Sequence, residues 1–107
     1  MKTTLLILAT AALAASFPAH AAGDYEAGKA KSTTCAACHG PDGNSTVTSF
    51  PRLAGQHRDY LLQALHEYKI GVRKNPIMGG QAQALSDTDM QDLATYFSEQ
   101  KGLTLKY

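Results

Sequence analysis

The sequence predicts an all-α fold of three main helices with long loops between them. Apolar residues recur at helical spacing in three segments, and no convincing strand pattern interrupts them. The stretches between are rich in Gly, Pro, Asn and Ser, which favour turns. A chain of 107 residues holds one small domain at most. Ten Lys and Arg against nine Asp and Glu give no basic field for nucleic acid and no acidic tail. Hydrophobic residues make up 44%, yet there are only five Tyr, three Phe and no Trp, so side chains alone build a thin core.

The first 21 residues read as a secretory signal peptide. Lys2 supplies the positive start, Leu5 to Ala15 is apolar or small apart from Thr10, and Ala19-His20-Ala21 is a small-x-small cleavage pattern after Pro18. The apolar run is shorter than the ~20 residues a membrane-spanning helix needs. The expected product is a single domain over residues 22–107, exported to the periplasm, with a formal net charge of zero and no stable membrane anchor.

The first helix is expected from about Asp24 to Thr33, with Asp24 as N-cap and Ala27, Gly28 and Ala30 as small contact surfaces. Cys35 to Pro51 then reads as loop. The second helix spans about His57 to Ile70, where Tyr60, Leu61, Ala64, Leu65 and Tyr68 recur at helical spacing and Gly71 suits a left-handed C-cap. Gly71 to Leu85 is a second loop, holding Pro76, Met78, Gly79 and Gly80. The last helix is the clearest. Ser86 and Asp89 form a capping box, Met90, Leu93, Ala94 and Phe97 form one apolar stripe, and Gly102 ends the element. Asp87, Asp89 and Asp92 belong to its first turns, where the helix dipole explains them without catalysis.

Loops of this length in so small a domain suggest a wrapped cofactor, and Cys35-Ala36-Ala37-Cys38-His39 identifies it. The C-x-x-C-H spacing is that of covalent haem attachment. Two thiols two residues apart reach the two vinyl groups of one porphyrin, and the adjacent imidazole is carried to the iron. A Cys35–Cys38 disulfide closes too short a loop to constrain the unfolded chain much. A redox-active pair needs a strand–helix context, and zinc needs four closed ligands that His57 and His66 do not supply in paired spacing. For the sixth iron position, Met90 belongs to the last helix's stripe, whereas Met78 stands in a loop with no packing pattern to explain it.

The chain resembles the class I c-type cytochromes, above all the short bacterial periplasmic members. The likeness runs through Gly28, Cys35 to Gly40, Phe50-Pro51-Arg52-Leu53-Ala54-Gly55-Gln56, Tyr60-Leu61 to Tyr68, Gly71-Val72-Arg73, Met78, and Leu85-Ser86-Asp87 to Ala94 and Tyr96. It implies a cytochrome c-like fold with the first and last helices crossing at Gly28, and one haem c held by Cys35 and Cys38 with His39 and Met78 on the iron. It also implies that the Pro51 carbonyl accepts from the His39 ring. Ser32 departs from the family, which commonly has an apolar or aromatic residue there. Tyr60, Leu65 and Tyr68 are expected to line the haem pocket or the core, and Arg73 to meet a propionate or solvent. An iron with both axial positions filled leaves none for substrate. The resemblance therefore implies a one-electron carrier, not an enzyme, that meets redox partner proteins as a monomer in transient complexes. The alternative is a haem subunit of a larger periplasmic oxidoreductase.

Overall fold

The computed structural model describes residues 23–102, which form five helices and no strand. These are α1 (Tyr25–Lys31), α2 (Thr33–His39), α3 (Arg58–Ile70), α4 (Pro76–Gln83) and α5 (Asp87–Ser98). The signal-peptide and cleavage-site assignments lie outside the described residues. The all-α expectation holds, but both stretches expected as loop contain a helix.

Residues 24–39 form one nearly continuous helical path with a break at Ser32. Asp24 caps α1 by accepting the Ala27 N–H at 2.7 Å. Ser32 keeps right-handed helical angles, and Ala36 N–H still donates to its carbonyl at 2.8 Å. Its hydroxyl donates back to the Lys29 carbonyl at 2.7 Å, a contact that bends helices. That bond also satisfies the one polar group this unusual residue brings into a buried position. The helix then resumes through Thr33–His39, where Ala36 and Ala37 favour it, and stops at Gly40, whose φ of +86° suits glycine. The Gly, Pro and Asn that read as loop all lie beyond that point.

Helix α4 starts on two signals the expected loop concealed. Asn75 accepts the N–H groups of Ile77 and Met78, each at 3.0 Å, and Pro76 occupies the first turn. Two glycines would weaken an isolated helix. Here α4 packs on α3, and Gln83 Nε2 donates to the Lys69 carbonyl at 2.7 Å.

The core lies where α5 meets α1 and α3. Leu61, Leu93, Ala94, Tyr96 and Phe97 form its buried cluster, and Met90 is fully buried. The Ser86–Asp89 capping box has both of its hydrogen bonds, at 3.0 and 3.1 Å. At the α1–α5 crossing, a Cβ on Gly28 would fall 2.1 Å from the Asp92 carbonyl oxygen and 2.8 Å from Tyr96 Cβ. Only glycine lets the two backbones approach so closely. Asp92 then joins the helices, accepting from Asp24 N–H at 2.7 Å and Lys31 Nζ at 2.6 Å.

Candidate functional site

Cys35 and Cys38 fall three residues apart on α2, the spacing that puts two side chains on one helix face. Both are free thiols and half-buried. Burial pushes the Cys35 thiol up, only partly opposed by a backbone hydrogen bond, and the neighbouring Cys38 raises it further. A thiol held in its neutral form is a poor start for thiolate exchange chemistry. Packing against the buried core cluster explains its environment.

His39 ends α2 and is buried, with its ring edge-on to Phe50 at 6.4 Å between centroids. Its Nδ1 lies 2.7 Å from the Pro51 carbonyl oxygen. A carbonyl has no proton to give, so Nδ1–H is the donor, and in the neutral ring Nε2 carries the lone pair. The loop that makes this contact is tightly folded. After Gly40 the chain turns, and the Gly43 carbonyl accepts from the N–H groups of Leu53 and Ala54 at 2.8 and 3.2 Å. Tyr96 Oη donates to the Pro41 carbonyl at 2.9 Å, and Gly55 N–H donates to the Phe97 carbonyl at 3.0 Å, which fix the loop to α5. Residues 45–48 and 50–52 of this loop line a shallow pocket of about 280 Å³ to which neither cysteine contributes.

Met78 is half-buried in the first turn of α4, not in a loop. Its backbone N–H is tied to Asn75, which fixes the position of the residue at the helix start. In backbone approach α2 lies against α1 and α4 against α3, while the Cys35 side chain reaches the core cluster of α3 and α5. The thiols and imidazole thus stand on one helix and the thioether on another that does not touch it.

The other expectations sort plainly. Met90 is a core side chain. His57 directly precedes α3, and His66 on α3 lies 4.0 Å from Asp87. Tyr60 is 46% exposed and Tyr68 half-buried, and neither belongs to the buried cluster. Arg73 lies over both tyrosine rings, 5.7 and 5.3 Å from their centroids, and donates to Tyr60 Oη at 3.1 Å. The Tyr60 contact, chiefly, holds this guanidinium above its ordinary value. Sequence reasoning missed Asp92 as the link between α1 and α5 and Asn75 as the cap of α4. Asn75-Pro76 was a legible helix start, whereas the Asp92 contacts bridge 61 and 68 residues of chain and left no local signal.

This donor set suits an iron already held in a porphyrin. Among the described residues, no three His, Cys, Asp or Glu side chains gather as a site for a bare metal ion. What exists is a paired thiol face, an oriented imidazole and a separate thioether, the parts that covalent haem attachment and axial ligation require.

Comparison with known proteins agrees with that chemistry. The cytochrome c family profile matches residues 25–101. A relative named cytochrome c4 from Pseudomonas aeruginosa is 53% identical over 83 residues, covering 78% of this chain and 41% of the relative. Cytochrome c-554(548) of Halomonas halodenitrificans is 43% identical over 75% of this chain and 100% of its own length. The crystal structure of reduced recombinant cytochrome c4 from Pseudomonas stutzeri superposes with a TM-score of 0.73 at 48% identity, over 77% of this chain and 48% of that one. The chain therefore spans less than half of the cytochrome c4 relative and all of the shorter one.

Proposed function

From the premise that this chain belongs to the cytochrome c family, we propose that it is a one-electron carrier with one covalently bound haem c. Cys35 and Cys38 would form the thioethers, and His39 and Met78 would bind the iron. The observation that carries this reading is the 2.7 Å bond from His39 Nδ1–H to the Pro51 carbonyl. It aims Nε2 away as the free donor, holds the ring in one orientation and raises its basicity, as ligating histidines require.

When bound, haem supplies an iron that cycles between ferrous and ferric states. The chain's residues set the terms of that cycle. The Cys35 and Cys38 thioethers would prevent loss of the group, and burial of His39 with Phe50 against its ring would keep water from its bond to the iron. Met78 contributes a neutral, soft sulfur that favours the ferrous state and raises the potential. With His39 and Met78 both bound, the iron would offer no coordination site to a substrate, so the chain would pass electrons and perform no bond chemistry of its own.

No described helix is long and apolar enough to cross a membrane. We place the domain in the periplasm after cleavage following Ala21, working as a monomer that meets redox proteins transiently. Contacts of that kind are small, often below ~1,200 Å² in total.

The test is to express the chain with a haem-attachment system and extract it with acid–acetone. Colour should stay on the polypeptide, and the ferric protein should show the weak sulfur-to-iron band at the red end of the visible spectrum. Release of all haem to the solvent overturns the covalent assignment. A missing band overturns Met78 ligation and turns attention to an open-site haem protein. Co-purification as a tight, salt-insensitive complex favours an oxidoreductase subunit over a free carrier.

A further inference from the structure

Helix α4 carries Met78 but has little of its own to hold it in place. Its eight residues include two adjacent glycines, and an isolated helix of that length and composition does not persist in water. Its one buried residue is Ala82, so no large side chain roots it in the core. A Cβ on Gly80 would meet nothing, and one on Gly79 only the Tyr68 carbonyl at 3.8 Å. Asn75 fixes the first turn locally. The far end depends on one residue of α3. The Lys69 carbonyl lies in the last turn of that helix, and the Arg73 N–H that would continue the ladder donates to Glu67 instead, at 3.1 Å. Gln83 Nε2 takes up the Lys69 carbonyl at 2.7 Å. Lys69 is half-buried, and its Nζ donates to the Leu85 carbonyl, between the end of α4 and the Ser86 cap of α5.

We infer that Lys69 is a positioning residue for the iron ligand. Its carbonyl and its ammonium together latch the C-terminal end of α4 to α3, and so hold Met78 ready to bind the iron. The inference rests on the reading of Met78 as the sixth ligand. A thioether is a soft, neutral donor, so its binding depends on how firmly the surrounding chain presents it. The two bonds join residues 14 and 16 apart in sequence, and both converge on Lys69. The ammonium bond is charge-assisted, its half-buried position limits competition from water, and it sets a cation at the negative end of the α4 dipole. Without the latch, α4 keeps only its Asn75 cap and the small Ala82 contact. It can then turn about residues 71–75 and carry Met78 away.

The test uses the haem-loaded ferric protein and imidazole, a neutral probe that the loss of one protein charge does not steer. Imidazole must wait for Met78 to leave, so at high concentration its binding rate levels off at the rate of that opening. Lys69→Met keeps the apolar stem and removes the ammonium, and should raise the limiting rate about tenfold, the weight of one charge-assisted hydrogen bond. Gln83→Ala removes the other bond at an exposed position and should raise it several-fold. Lys69→Arg keeps a cationic donor and should stay near the wild-type rate. Gln63→Ala breaks a 2.8 Å bond to Glu67 on the same helix and should change nothing. Hydrogen exchange reads the latch without an added ligand. Amides of residues 79–83 should exchange faster in Lys69→Met, and those of residues 92–97 in α5 at the wild-type rate. If Lys69→Met fails to take up haem, Gln83→Ala decides the question alone. Wild-type limiting rates in both variants overturn the latch and leave Met78 as ligand, and a lowered denaturant midpoint beside them makes Lys69 merely structural. Equal acceleration by Gln63→Ala marks a general loosening of α3 and overturns the latch as well. A wild-type protein without the sulfur-to-iron band overturns Met78 ligation, and the latch with it.

Discussion

The α1–α5 crossing and the flanks formed by α2 and α4 are built on different terms. At the crossing, Gly28 admits the Asp92 backbone, Tyr25 and Tyr96 pack with centroids 5.3 Å apart, and Asp92 ties both helices together. Six consecutive residues of α5, from Asp92 to Phe97, are buried. Helix α2 buries only His39 and α4 only Ala82, and the backbone of each lies close to a single neighbouring helix. The first region is complete in its own side chains. The second region holds Cys35, Cys38, His39 and Met78, and under the proposed haem attachment a large flat prosthetic group would pack against it. A small domain can divide its stability in this way, with a protein-only clasp at one side and a cofactor-dependent wall at the other.

The largest effects should come from the two methionines, which lie on opposite sides of that division. Met78→Ala should abolish the sulfur-to-iron band, admit carbon monoxide and lower the potential by on the order of a few tenths of a volt, within the ~0.8 V over which axial ligands tune haem. Met90→Ala should keep the band and lose ~2–5 kcal/mol of stability, because the side chain is fully buried. Exchange of these phenotypes would show that the clasp and the wall have been assigned the wrong way round.

Gly28→Ala tests the clasp alone. A methyl group in contact with backbone at 2.1 Å cannot be absorbed by a rotamer change, so α1 and α5 must separate. A loss of about 3 kcal/mol is expected from overpacking, read from the denaturant midpoint. The haem spectrum of the folded protein should stay as in the wild type.

Acid should weaken the same clasp. Hydrogen bonds from Lys31 and then from the Ser86 backbone hold the Asp89 carboxyl down at about 2. For Asp92 burial acts upward, but the Lys31 and Asp24 hydrogen bonds outweigh it and the carboxyl stays below its ordinary value. Depressed carboxylates contribute stability that is full above the unfolded value near 3.8 and lost as pH falls toward about 2. Denaturant midpoints measured from pH 6 to pH 2 should therefore hold steady and then drop below about pH 4. Asp92→Asn should flatten that drop, and an unchanged slope would place the acid sensitivity outside the clasp.

Tyr96→Phe should have the smallest effect. It removes the 2.9 Å bond to the Pro41 carbonyl, one tether between α5 and the loop after His39. A cost of ~0.5–1.5 kcal/mol is expected, with a slight change in haem environment measurable as a small shift in potential. A larger shift in potential than in stability would show that the two regions are more tightly coupled than their packing indicates.

Local pattern alone determined the all-α class, the bounds of α3 and its Gly71 cap, the Ser86 capping box, the buried stripe of α5 and the C-x-x-C-H motif. Each of these is encoded within a few residues, by side-chain period, capping chemistry or fixed spacing, so no distant contact was needed to read it. Tertiary structure decided the rest. The helical state of Cys35 and Met78 was obscured because Gly, Pro and Asn nearby resemble loop, and only packing on α1 and α3 makes those short helices persist. The orientation of His39 depends on a carbonyl 12 residues away, and the Asp92 clasp on partners more than 60 residues away.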